Sequence, residues 1–187
     1  KMPEWFETSL RTEYYIKTGI VLLGATLPLT LIVSAGPVAF LQATVVSLTT
    51  WFTIYLASTR IFKHDPRFGA VLGAAGAVCG VSASIAVGAS VKARKEHIAI
   101  GISIVSLWAI VMIFFIPLAG KAMGLAAPVI GAWIGTSEFA DAAGYAAAAA
   151  IGEESAIQAF TLMKVIGRDI WIGIWCFVLS IVAVAVW

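Results

Sequence analysis

The sequence predicts an all-α polytopic membrane protein with about four full crossings plus two interrupted or re-entrant helical segments in a transporter-like inverted arrangement. Three observations predict it. Of the 187 residues, 61% are hydrophobic and only 12% are charged, whereas about a quarter of a soluble domain is charged. Several windows of at least ~18 residues carry no charge, which is long enough to cross a bilayer core. Two apolar stretches, 68–91 and 127–151, hold small or polar residues at their centres, where an ordinary crossing would be uniformly apolar. The chain reads as a single transmembrane domain over residues 1–187.

Residues 1–15 mix Glu4, Glu7, Arg11 and Glu13 with Trp5, Phe6, Tyr14 and Tyr15. Aromatic and charged residues together fit the headgroup zone, so an interfacial helix is expected there. The start is too polar for a signal-peptide core, and a chain that opens on Lys1 is expected to be a processed product or a piece of a longer protein. Ile16–Ser34 is expected to cross with a kink at Pro28, Gly36–Pro37 to form a tight turn, and Val38–Ser58 to cross back. A basic loop, 60–67, leads into the glycine-rich stretch 68–91, and a second one, 92–96, leaves it. Ile98–Leu118 is a further crossing. The interrupted stretch 127–151 follows and ends at Glu153-Glu154. A helix over Ser155–Gly167 then precedes a last crossing from Ile170 to Trp187.

Charge placement bears on topology. The two basic loops hold Arg60, Lys63, Arg67, Lys92, Arg94 and Lys95, half of the 12 Lys and Arg residues. The positive-inside rule wants both on one side of the membrane. A hairpin over 68–91 satisfies it, and a full crossing does not. Length leaves a broken but crossing helix open, because 24 residues make either one helix of ~36 Å or two arms of ~18 Å.

The two cysteines, Cys79 and Cys176, lie in apolar segments without disulfide or zinc spacing. His64 and His97 sit in basic loops and lack metal-ligand spacing. No catalytic constellation is present, so an enzyme is not expected, and neither a cofactor nor a metal is. The basic loops suit anionic lipid rather than nucleic acid.

Three blocks of residues carry a family resemblance. The first is Lys17-Thr18-Gly19-Ile20-Val21-Leu22-Leu23-Gly24-Ala25. The second is Ala77-Val78-Cys79-Gly80-Val81-Ser82-Ala83-Ser84, with Lys92-Ala93 and Glu96 after it. The third is Trp133-Ile134-Gly135-Thr136, with Asp141, Gly144 and Met163-Lys164-Val165. In this order they span nearly the whole chain and resemble the proposed sulfate exporter family, a set of poorly characterised prokaryotic membrane proteins. Only the Cys-Gly-x-Ser-Ala block is specific. The resemblance implies a multi-pass transporter of the prokaryotic cytoplasmic (inner) membrane, related to cation/anion antiporters, with inverted repeats and discontinuous helices. Members often carry His-Asp-Thr-Ala-Gln where this chain has Ala140-Asp141-Ala142-Ala143-Gly144, so a histidine-dependent proton step does not transfer. Members are also longer, and this chain looks like the middle-to-late part of one.

Two sets of residues are the candidate site. Around the first break, Cys79, Gly80, Ser82 and Ser84 are expected to bind a small anion through free amides at a half-helix N-terminus, hydroxyls and a close backbone approach. Hydrogen bonding between helices is the competing role for the serines. In the second, Thr136, Ser137, Glu138 and Asp141 are expected to bind a coupling Na⁺ or H⁺. An intramembrane carboxylate costs roughly 2.5–3.5 kcal/mol and is rarely placed there without a partner or a task. Glu138 and Asp141 would share a face if helical; solvation at an aqueous edge is the competing reading. Lys121, Lys164 and Arg168 are expected to snorkel at interfaces, with pairing to Glu138 and Asp141 as the alternative. The function expected is ion-coupled secondary transport of a small anion, sulfate- or sulfonate-like by resemblance. A non-transporting accessory subunit of a larger membrane complex is the alternative. Membrane lipids and either further copies or other membrane subunits are the expected partners.

Overall fold

In a computed structural model, residues 12–25 and 27–187 are described, and their regular structure is entirely helical. The interfacial helix expected over residues 1–15 lies outside the described residues up to position 11. Helix α1 (Thr12–Ala25) is followed by α2 (Leu29–Leu56), which runs on through a π-helical turn, Ala57–Ile61. Two expectations change here. The chain breaks at Leu27-Pro28 instead of kinking within one crossing over Ile16–Ser34. Pro28 is the extended N-cap of α2 (φ −62°, ψ 132°), and a residue before proline is biased away from helical backbone. The expected turn at Gly36-Pro37 is helical, with Pro37 inside α2. Proline there removes one amide donor, which membrane helices tolerate where neighbouring groups satisfy the freed carbonyl. The stretch Val38–Ser58 is thus the later part of a longer rod.

Helices α3 (Pro66–Ala77) and α4 (Gly80–Ser90) flank the first break. Asp65 caps α3, its Oδ1 accepting from the Arg67 amide at 2.8 Å, with Pro66 at the first helical position. The two helices form a hairpin. Arg67, at the start of α3, donates to the carbonyl of Lys92, just past the end of α4, at 3.5 Å. Helix α5 (Lys95–Ala122) then runs the length of the molecule, ~42 Å at 1.5 Å per residue. At its far end stands a second hairpin, α6 (Ala127–Ser137) and α7 (Asp141–Ala149). Lys121, near the end of α5, donates to the Ala150 carbonyl beyond α7 at 3.2 Å. The two hairpins therefore approach each other from opposite ends of α5.

The chain returns through α8 (Glu154–Thr161), a π-helical segment (Leu162–Asp169) and α9 (Trp171–Ala185). At the end of this rod the Trp187 carbonyl accepts from Arg67 at 2.8 Å. Helix α2 lies beside it, and Trp51 stacks on Trp175 with ring centroids 4.5 Å apart. Helices α6 and α8 touch backbone to backbone, because a Cβ added at Gly131 would run into the Ala156 carbonyl group. One core cluster joins the first hairpin to α2 and α9 through Val71, Val78, Val87, Trp51 and Leu179. Another joins the second hairpin to α5 and α8 through Ile116, Ile134, Ala147 and Phe160.

Among the described residues, three helices are long and apolar enough to cross a membrane: Leu29–Ile61, Lys95–Ala122 and Glu154–Ala185. Only 17%, 17% and 22% of their most apolar windows are buried, so their remaining apolar faces look outward. Leu107, Phe114 and Leu118 on α5 are examples, each more than half exposed.

Candidate functional site

The two hairpin tips meet. Between α3 and α4, Val78 and Cys79 leave helical geometry, and between α6 and α7, Glu138, Phe139 and Ala140 do the same. The amide of Gly80 donates to the carbonyl of Phe139 at 2.8 Å, so one break is bonded to the other. Gly80 is required by the approach: a Cβ there would lie 2.7 Å from Val105 Cγ2 and 3.4 Å from Phe139 Cβ.

Two helix C-termini end at this junction, each with carbonyls that lack intrahelical partners and carrying the negative end of its dipole. Two buried cations from the π-helical segment answer them. Arg168 is 1% exposed. Its Nε donates to Ala77 O (3.1 Å) and its Nη2 to Gly76 O (3.1 Å), both at the end of α3. Its Nη1 reaches Thr136 O (2.8 Å), Glu138 O (3.3 Å) and Gly135 O (3.4 Å) at the end of α6. Lys164, fully buried, donates to Val78 O (2.9 Å), Glu138 O (3.0 Å) and Phe139 O (3.4 Å). Irregular backbone is tolerated at membrane depth when protein groups satisfy it, and here these side chains do so. The π winding matters as well. Its wider turn brings residue i+5 back towards residue i, so Lys164, Arg168 and Asp169 all reach the junction.

Carboxylates complete the centre. Lys164 Nζ lies 3.5 Å from Asp141 Oδ1, an ion pair rather than a hydrogen bond. Cys79 Sγ donates to Asp141 Oδ2 at 3.5 Å. One ligand atom each from Cys79, Asp141 and Asp169 lies within 4.8 Å of the others, close enough to share a cation. Glu138 is fully buried and its Oε1 accepts from the amides of Phe139 (2.9 Å) and Ala140 (3.2 Å). Glu138 Oε2 and Asp169 Oδ1 are buried without hydrogen-bond partners among the described residues.

Cys79, Gly80, Glu138 and Asp141 thus come together. Glu138 and Asp141 do not share a helical face, however, because the break falls between them. Ser84 is buried and donates to the Gly80 carbonyl of its own helix at 2.6 Å, while Ser82 is exposed. Thr136 turns back on α6, donating to Ala132 O and Trp133 O at 3.1 and 3.0 Å. Ser137 is half-buried at the end of α6. Lys164 and Arg168 do not snorkel: Lys164 takes the alternative role and pairs with Asp141, and Asp169 is the central residue that the sequence reading missed. The signal lay in treating 154–185 as one apolar run, which puts three charges near its middle. Lys121 is exposed.

These features define a class: a helical membrane protein with two broken hairpins joined tip to tip around buried charges. Residues 7–185 match the model of the family described as Conserved hypothetical protein 698. The chain belongs to this family, the one its motifs resemble. It is 32% identical over 180 residues to a UPF0324 membrane protein of Rhodopirellula baltica, covering 96% of this chain and 33% of that one. It is 31% identical over 176 residues to a UPF0324 membrane protein of Nitratidesulfovibrio vulgaris (94% and 30%). A UPF0324 membrane protein of Bacillus cereus is 29% identical over 174 residues (90% and 51%). The chain therefore spans about a third to a half of these relatives. No solved structure matches it.

Proposed function

We propose that this chain carries the core of an ion-coupled secondary transporter for a small anion. The observation that carries the reading is the Gly80–Phe139 bond at 2.8 Å between two broken hairpins, with the Asp141–Lys164 pair beside it. In this reading the hairpins are re-entrant in a prokaryotic inner membrane, entering from opposite sides and meeting near its midplane. Discontinuous helices at the midplane are where secondary transporters bind substrate and coupling ion. The amides at the start of α4, with Cys79 and Ser82 beside them, are suited to an anion. Asp141, Asp169 and Cys79 are suited to a proton or Na⁺, which would compete with the Lys164 ammonium for Asp141. Lys164 then senses occupancy, because it also grips the carbonyls of both breaks.

The test is flux in reconstituted vesicles, with sulfate inside and a proton or Na⁺ gradient imposed. Asp141→Asn should abolish gradient-driven flux while leaving the fold, judged by helical circular dichroism, unchanged. Equal flux in wild type and variant would remove Asp141 from the mechanism. The accessory-subunit reading draws on one observation: α5 keeps an apolar face outward. Stoichiometric co-purification with other membrane proteins, with no flux in vesicles, would favour it.

A further inference from the structure

A second polar feature lies at the opposite pole from the second hairpin, at the base of the first. A cavity of about 310 Å³ opens there, lined by Asp65, Arg67, Lys92, Arg94, His97 and Trp187, close to the roughly 300 Å³ at which small-ligand clefts begin. Four elements converge on it: the start of α3, the turn after α4, the start of α5 and the end of α9. Its charge is unbalanced. Asp65 is the lining carboxylate, and its Oδ1 is engaged with the Arg67 amide. Arg67 is held in place by its bonds to Lys92 O and Trp187 O. Lys92 and Arg94 are exposed, and among the described residues neither forms an ion pair. Lys92 takes up left-handed backbone (φ +52°), which turns the chain sharply at the cavity rim. The His97 ring packs on Phe68 with centroids 4.8 Å apart, and its Nδ1 is buried without a hydrogen-bond partner among the described residues.

From this geometry we infer a binding site for a tetrahedral oxyanion, a phosphate or sulfate group, at the base of the first hairpin. Three cations facing one carboxylate leave a net positive cleft, and arginine forks match tetrahedral oxyanions through charge-assisted bonds. The position fits a membrane surface. The same pole bears Arg60, Lys63 and Lys95, the basic residues that belong on the side facing anionic lipid, and Trp187 suits the interfacial belt. An anion bound there ties the α3 and α4 limbs to α5 and α9. The group arrives either on a lipid headgroup or as a free ion. The site is independent of the junction, so it stands or falls apart from the transport reading.

The experiment uses the full chain, purified and delipidated in detergent, with four probes: phosphatidylglycerol, phosphatidylcholine, inorganic phosphate and inorganic sulfate. Lipid retention is read by native mass spectrometry and the free ions by thermal shift. The pocket variant is Lys92→Gln/Arg94→Gln, at exposed positions that leave the fold intact. The control, Arg60→Gln/Lys63→Gln, removes the same charge from the same pole outside the cavity. Phosphatidylglycerol held in preference to phosphatidylcholine, and at least ~10-fold more weakly by the pocket variant than by the control, identifies a headgroup. Stabilisation by phosphate or sulfate that only the pocket variant loses identifies a free ion. Equal losses in pocket and control variants, or no binding of any anionic probe, overturn the inference.

Discussion

Arg168 offers the most demanding test of how the two breaks are held. Replacing it with lysine keeps the charge and removes the fork. The guanidinium serves Gly76 and Ala77 on one helix end and Gly135 and Thr136 on the other, while Glu138 O keeps its bond from Lys164. A single ammonium cannot cover both ends, so Arg168→Lys leaves two carbonyls without donors. At ~1–3 kcal/mol for each orphaned buried group, the expected loss is ~2–6 kcal/mol. Unfolding of the purified chain in mixed micelles, titrated with a denaturing detergent and followed by circular dichroism, measures it. Arg60→Lys, a change at an exposed position of the π-helical turn, is the matched control and should shift stability by less than ~0.5 kcal/mol. An Arg168→Lys variant within ~1 kcal/mol of wild type would refute the view that the fork spans both helix ends.

Other outcomes follow from the same contacts. Lys164→Met leaves Asp141 unpaired inside the protein and should cost ~3–5 kcal/mol; adding Asp141→Asn should restore much of it, and the same unfolding assay reads the coupling. Gly80→Ala forces a methyl against Val105 and should cost ~1–3 kcal/mol, with partial rescue by Val105→Ala. Gly131→Ala meets the rigid Ala156 backbone and should prevent stable folding, while Gly173→Ala meets nothing within 4 Å and should be neutral or stabilising by ~0.5–1 kcal/mol; yields of folded protein separate the two. A permeant maleimide should label the half-buried Cys176 before the buried Cys79, which peptide mapping over time would show.

Sequence alone determined the helical class and both breaks, and it favoured a hairpin over 68–91. Each depended on local or additive quantities: charge-free length, small and polar residues interrupting an apolar run, and loop charge counted by side. Gly36-Pro37 shows where local rules misled, since that pair can mark a turn or sit inside a long helix, and only the surrounding rod chose between them. Lys164, Arg168 and Asp169 show it more sharply. A cation in an apolar segment reads alike whether it lies at an interface or at the centre, because sequence does not give its depth. Depth was set by the packing of two distant hairpins, whose unpaired carbonyls arrive from residues 76–78 and 135–139 and create a demand for buried positive charge. No stretch of sequence near Lys164 carries that demand, and only the folded chain brings the groups that make it together.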